Sequence, residues 1–481
     1  MNFAIVRYLI GWMLGIESIF LLLPALTAVI YGEAELPAYL TAAAISLAGA
    51  ALLCHRKPKN TRFYAREGYV TVALCWLVLA VIGALPFVLS REIPSFIDAL
   101  FETVSGFTTT GATILGDVEA LSHASMLWRC LTHWVGGMGV LVFMLIVLPL
   151  AGGQTIFLMR AESPGPAVSK MSPHMRDTAT ILYAIYFGLT VLQMILLLIG
   201  GMPFFDAICV SLGTAGTGGF GNWNDSIAHY NSAYLQNVIT VFMILFGINF
   251  SAYFLILTRK FRQAFRIEEI RVYLGVIFVF AGLIAFNVRP MFGSLRESFH
   301  HALFQVASII TTTGFSTVDF DQWPTFSRAL LVLLMFIGAC AGSTGGGIKC
   351  SRILLLGKSV KKEMMCLIHP RLVRVNKMDG QRVPHEVMRS INVFVVAYAF
   401  IFILSLLIIS LNCEDLVTCF TSVATTLNNV GPGLSLCGPT CNFDFFPPLS
   451  KCVLIFDMLA GRLELFPMLL LFTPGTWQRN K

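Results

Sequence analysis

An apolar run of about the length that crosses a bilayer, ~20 residues, recurs ten times along this chain. The runs are 3–30, 36–54, 68–90, 124–150, 178–200, 233–257, 270–288, 327–351, 388–411 and 450–473. Only 12% of the residues are charged, roughly half the share of a soluble domain. The expectation is an all-α integral membrane protein with about ten spans. The net charge of +7 does not imply nucleic acid as a partner, because the basic residues gather in the segments between runs. The first run is too long for a signal-peptide core and has no small-residue cleavage site, so it reads as a span. Most of the twelve cysteines lie inside apolar runs, where they behave as small hydrophobes. Cys437 and Cys441 stand in a polar loop, CGPTC. A disulfide there is open if the loop meets an oxidising compartment, and the lack of a nearby histidine disfavours zinc.

Lysine and arginine set the orientation. Segments 55–66, 151–177, 258–271 and 349–389, with Arg7, Arg479 and Lys481, hold 26 of the 33 basic residues. The opposite side has Arg91, Arg129, Arg289, Arg296, Arg328 and Lys451. Both termini are therefore expected in the cytoplasm.

Between the runs lie four semi-polar segments too short to cross: 95–110, 203–218, 297–313 and 414–430. Each leads into a variant of one phrase: TTTGAT at Thr108–Thr113, GTGGFG at Gly216–Gly221, TTTGFS at Thr311–Ser316 and NNVGPG at Asn428–Gly433. Asp98, Asp206 and His301 each stand thirteen residues before Gly111, Gly219 and Gly314. The fourth copy is looser, with Asp415 a turn further back from Gly431. The repeating unit is span, half-helix, Gly-centred turn, span. The domains follow: an N-terminal two-helix extension at 1–66, then repeats at 67–150, 151–260, 261–385 and 386–481. Four like-oriented half-helices can surround one axis as a pore.

Glycine at the turn permits backbone angles that other residues resist and lets carbonyl oxygens replace an ion's hydration shell. The negative end of each half-helix favours a cation there. Helix packing alone also favours small residues, but it does not call for four matched copies on one side. The candidate cation-binding residues are Thr109, Thr110, Gly111, Thr217, Gly218, Gly219, Thr312, Thr313, Gly314, Asn429, Val430 and Gly431.

With these phrases the chain resembles, over its whole length, the Trk/Ktr/HKT superfamily of potassium transporters, and within it the bacterial TrkH-type membrane subunits. The resemblance implies a potassium filter at those residues and potassium as substrate, with no covalent cofactor. It further implies a homodimer in the bacterial inner membrane and a TrkA-type cytosolic nucleotide-binding partner, for which the basic loops are the available docking surface. Serine at the first filter glycine goes with sodium permeation in some plant members, and here all four positions are glycine.

The eighth run contains GACAGSTGGGIKCS, Gly338–Ser351. It is not a phosphate-binding loop, since no strand precedes it and Lys349 does not directly follow the last glycine. Gly342, Gly345, Gly346 and Gly347 should break a helix, and broken backbone at membrane depth must be buried in protein or line a cavity. The resemblance makes this loop, with Lys349, the gate below the filter. Arg462 lies inside the last run, where a charge is costly and functional by default. It either pairs with Glu464 or Asp457 or, as the resemblance implies, brakes permeation beneath the filter. Gly136, Gly137 and Gly139 are explained by close helix packing. No constellation of catalytic residues is visible, so the chain is not read as an enzyme. The alternative to a channel-like pore is a cation/proton-coupled secondary transporter (a symporter), a class that usually shows inverted repeats and midplane ionisable groups.

Overall fold

A computed structural model describes residues 1–58, 64–147, 175–371 and 375–478. The chain begins with α1 (Phe3–Tyr31), α2 (Leu36–Cys54) and α3 (Ala65–Ser90). A short α4 (Phe96–Phe107), α5 (His123–Val147) and α6 (Met175–Ile199) follow. The middle holds short α7 (Phe204–Gly216), α8 (Ala233–Phe246), α9 (Phe250–Leu257), α10 (Glu268–Val288) and short α11 (Leu295–Ile310). The last part comprises α12 (Thr325–Ile337), α13 (Cys350–Ile368), α14 (His385–Ile409), short α15 (Leu416–Asn428), α16 (Pro448–Arg462) and α17 (Phe466–Leu471). Six described helices are long and apolar enough to cross a membrane, or seven if α8 and α9, bent by 92°, form one span.

The lower count against ten expected spans has a physical origin. Three expected runs are interrupted: 233–257 at Gly247–Asn249, 327–351 between Ile337 and Cys350, and 450–473 at Leu463–Leu465. A fourth, 124–150, runs past the described residues, as do the boundaries placed at 150 and 151. Interrupted helices free backbone groups that must find partners when buried. Here the interruptions satisfy one another. Cys340 N–H donates to Gly247 O at 3.1 Å and Phe250 N–H to Gly342 O at 3.0 Å.

The four short helices have 12, 13, 16 and 13 residues, or about 18–24 Å at ~1.5 Å per residue, less than a hydrocarbon core of ~30 Å. Three begin on side-chain caps, Ser95 for α4, Ser294 for α11 and Asp415 for α15, which satisfy amides that a helix start leaves open. The looser fourth copy is thereby resolved. Asp415 is a cap at the position of Ser95, sixteen residues before its glycine, and is not the counterpart of Asp98. Two of the basic segments form one surface, where Lys358 bonds Glu268 and Lys377 O, and Asp379 accepts from Glu268 N–H at 2.7 Å. Segment 151–177 lies almost wholly outside the described residues.

Candidate ion-conduction site

All four short helices end in the same backbone motif. Counting from the turn glycines, the N–H one residue before each bonds a carbonyl five residues back: Thr110 to Ser105, Gly218 to Gly213, Thr313 to Ser308 and Val430 to Thr425, at 2.8–2.9 Å. The preceding N–H of Thr109, Thr217, Thr312 and Asn429 bonds three residues back, at 3.0–3.2 Å. This pair of bonds is a Schellman termination, which needs a left-handed residue, usually glycine. That place is taken by Thr109, Thr217, Thr312 and Asn429, with φ of 54, 55, 59 and 56°. A β-branched residue there is a true outlier, costing about 1–3 kcal/mol each and typical of functional sites.

The turn glycines follow two residues later with φ of 79, 79, 86 and 99°. A Cβ added to Gly111 would lie within 3.0 Å of Gly218 O, one on Gly219 of Thr313 O, one on Gly314 of Val430 O, and one on Gly431 of Thr110 O. Each glycine therefore abuts the carbonyl that precedes the glycine of the next copy, and the fourth returns to the first. The four turns close into a ring. Among the described residues no N–H or O–H bonds these four carbonyls, although the side chains around them are buried.

The differences between copies have local causes. Gly218 replaces threonine or valine because the His133 ring fills the space a Cβ would need. Asn429, in the copy without a threonine run, donates to Thr110 Oγ1 at 3.0 Å and Met458 O at 2.9 Å, bracing the fourth turn on the first. In the first and third copies Thr108 meets Thr110, and Thr311 meets Thr313, each at 2.8 Å between hydroxyls.

Two bracing residues escape the sequence reading. His133 bonds Gly106 O at 2.8 Å and receives Phe220 N–H at 3.1 Å, joining the first and second turns. Arg129, counted above among outer charges, is buried and pairs with Glu102 at 2.8 Å. Glu102 also accepts from Thr113 Oγ1 and Ile114 N–H, each at 3.0 Å. The signal was an arginine four residues before a histidine within one helix, which places both on one face. Arg129→Ala strands a buried carboxylate, so thermal unfolding should register a loss of about 3–5 kcal/mol. Adding Glu102→Gln should recover part of it.

The glycine loop lies directly under the ring. Gly346 N–H donates to Thr312 Oγ1 at 2.6 Å and Gly347 N–H to Asn428 O at 3.0 Å. Gly342 and Gly347 have φ of 72 and 78°, and a Cβ on Gly345 would lie 2.9 Å from Thr311 O. Lys349 turns back to bond Gly345 O. Arg462 donates to Thr344 O of this loop and to Gly136 O of α5, both at 2.8 Å. The ion pair with Glu464 or Asp457 is not the arrangement found. Glu464 is held by Arg352, and Asp457 accepts from Ser405 Oγ at 2.7 Å. The Gly136–Gly139 stretch packs closely, as expected, against Phe107, Gly216 and Trp76, but it also supplies a carbonyl to Arg462.

A helical membrane fold organised around such a backbone ring is that of a transport protein rather than an enzyme. The chain belongs to the TrkH family: the family model described as a cation transport protein matches residues 38–281 and 276–478. It is 38% identical to the Trk system potassium uptake protein TrkH of Escherichia coli K12, covering 99% of this chain and 100% of that one. It is 33% identical to E. coli TrkG, also a Trk system potassium uptake protein, over 98% of each chain. The crystal structure of the potassium transporter TrkH from Vibrio parahaemolyticus superposes with a TM-score of 0.89 at 33% identity, covering 99% of this chain and all of that one.

Proposed function

We propose that this chain carries potassium into the bacterial cell across the cytoplasmic membrane, with both termini in the cytoplasm, through a channel-like pore whose filter is the four-turn ring. The observation that carries this reading is the closed cycle of glycine against carbonyl, from Gly111 through Gly219 and Gly314 to Gly431 and back. Carbonyls without protein donors are what a dehydrated cation requires, and relatives named as potassium uptake proteins support potassium as the ion. The twelve residues Thr109–Gly111, Thr217–Gly219, Thr312–Gly314 and Asn429–Gly431 line the filter. The span–turn–span units form four pseudo-symmetric repeats around it.

In this reading the loop containing Gly342, Gly345, Gly346, Gly347 and Lys349 is the gate, closed in the conformation described here, and Arg462 is its latch. A TrkA-type cytosolic nucleotide-binding protein acts on the surface joining 258–271 to 349–389, and the functional unit is a homodimer. The test is flux in proteoliposomes holding the purified chain, comparing potassium, rubidium and sodium without an imposed proton gradient. Potassium and rubidium should enter at least about tenfold faster than sodium. Uptake that appears only with a proton gradient would favour coupled secondary transport instead.

A further inference from the structure

The glycine loop is tied down at several points, and one of them comes from the basic segment 258–271. In this segment α10 opens with two adjacent glutamates, Glu268 and Glu269. Adjacent residues of a helix do not share a face, and these two divide accordingly. Glu268 stands at the surface, bonded to Lys358. Glu269 is turned inward and is only 3% exposed. A buried carboxylate is tolerated only where it is well bonded. Oε1 of Glu269 meets that need by accepting the Ala341 N–H at 2.7 Å and the Ser351 N–H at 3.0 Å.

Those two amides lie at opposite ends of the loop. Ala341 directly precedes Gly342, and Ser351 is the second residue of α13. The N-cap residue of α13, Lys349, gives it no side-chain cap. A helix start has open amides and a partial positive charge, so it takes a carboxylate readily. Here the carboxylate comes from another helix, and the same oxygen also holds the entry to the loop. Between the two ends lie Gly342, Gly345, Gly346 and Gly347. Tying both ends of so glycine-rich a segment to one atom removes much of its conformational freedom.

The loop's attachments described above lead to Thr312 and Asn428 of the ring and, through Arg462, to α5. Glu269 leads instead to the surface that Lys358, Lys377 and Asp379 build around the start of α10. We propose that Glu269 is a positioning residue that pins the loop closed and couples it to this surface. A partner that shifts the start of α10 withdraws one oxygen and frees both ends of the loop together. This rests on the loop being the gate, and the experiment separates the two.

Cys340 and Cys350 stand beside the two pinned amides and are buried, so they report on the loop without reference to transport. The purified full chain in liposomes is treated with N-ethylmaleimide, and labelling of each cysteine is read by mass spectrometry, with exposed Cys441 as internal standard. Glu269→Ala should speed labelling at Cys340 and Cys350 by about tenfold or more, the factor that losing one hydrogen bond to a charged group gives. Potassium flux per folded molecule should rise with it. Glu269→Gln keeps an acceptor oxygen and should fall between parent and alanine variant. Faster labelling at unchanged flux upholds the pin and removes the loop as the gate. Labelling at the parental rate overturns the pin, even if folded yield falls, because a helix cap alone lends stability without holding the loop. Should Glu269→Ala fail to fold, Glu269→Asp keeps the charge and shortens its reach by a methylene, and labelling equal to the parent's again overturns the pin. Asp379→Ala, which removes the acceptor of the Glu268 N–H, tests the coupling: it should speed labelling at the same two cysteines, and no change there overturns the link to the surface.

Discussion

Gly111→Ser will lower the potassium-to-sodium permeability ratio by about tenfold or more. Two strains act together. The backbone at Gly111 has a φ of 79°, which an L side chain resists, and the new Cβ would press within 3.0 Å on the Gly218 carbonyl. That carbonyl must move out of the ring, and a hydroxyl takes a place near it. A change of about 1.4 kcal/mol in the relative fit of two ions is tenfold in preference, and displacing one ring oxygen in a low-dielectric site reaches that easily. The control is Gly357→Ser on α13, where an added Cβ meets nothing within 4 Å. Bi-ionic reversal potentials on the two variants give the ratio, and equal ratios would remove Gly111 from the filter.

Arg462→Gln will raise potassium flux per folded molecule, by about tenfold or more, without altering which ion is preferred. The guanidinium fastens the loop to α5 through Thr344 O and Gly136 O, and it places a positive charge beneath the ring. For a cation at roughly 8 Å and an effective dielectric of about 20, unit charges repel by about 2 kcal/mol, which exceeds a factor of ten in rate. Arg462→Lys divides the two effects: it keeps the charge but lacks the fork that reaches two carbonyls. Low flux in the lysine variant assigns the brake to charge, and high flux assigns it to the latch. Since Glu464 and Asp457 have other partners, the glutamine variant should show no loss of folded yield that neutralising either of them restores. A fall in flux per folded molecule would contradict the role given to Arg462.

Much of this site is legible in the letters because the physics behind it is local. A glycine thirteen residues beyond Asp98, Asp206 or His301 is a spacing, and spacings survive without coordinates. Runs of glycine at membrane depth announce a broken helix, and Gly338–Lys349 is broken as expected. Other breaks carry weaker signals. The turn at Leu463–Leu465 is made by leucine and glutamate, with Glu464 and Leu465 at φ of 58 and 67°, residues that read as helix formers. The turn is closed by a helix termination of its own, with Leu465 N–H on Ala460 O at 2.7 Å and Glu464 N–H on Gly461 O at 3.3 Å. The left-handed threonines at Thr109, Thr217 and Thr312 are opaque for the same reason. Their propensity argues against the conformation, and the helix termination around them imposes it. The order in which the four turns meet, and the burial of Arg129 against Glu102, are tertiary facts with no local signature beyond a charge placed where a span should be.

A dehydrated potassium-like ion held by the ring of backbone oxygens should be visible by anomalous X-ray diffraction from crystals grown in thallium or rubidium. A peak is expected on the axis between the carbonyls of Thr110, Gly218, Thr313 and Val430, retained when excess sodium competes with the heavy ion and lost when excess potassium does. A ring without a peak, or a peak that sodium displaces as readily as potassium, would contradict a potassium filter at these carbonyls.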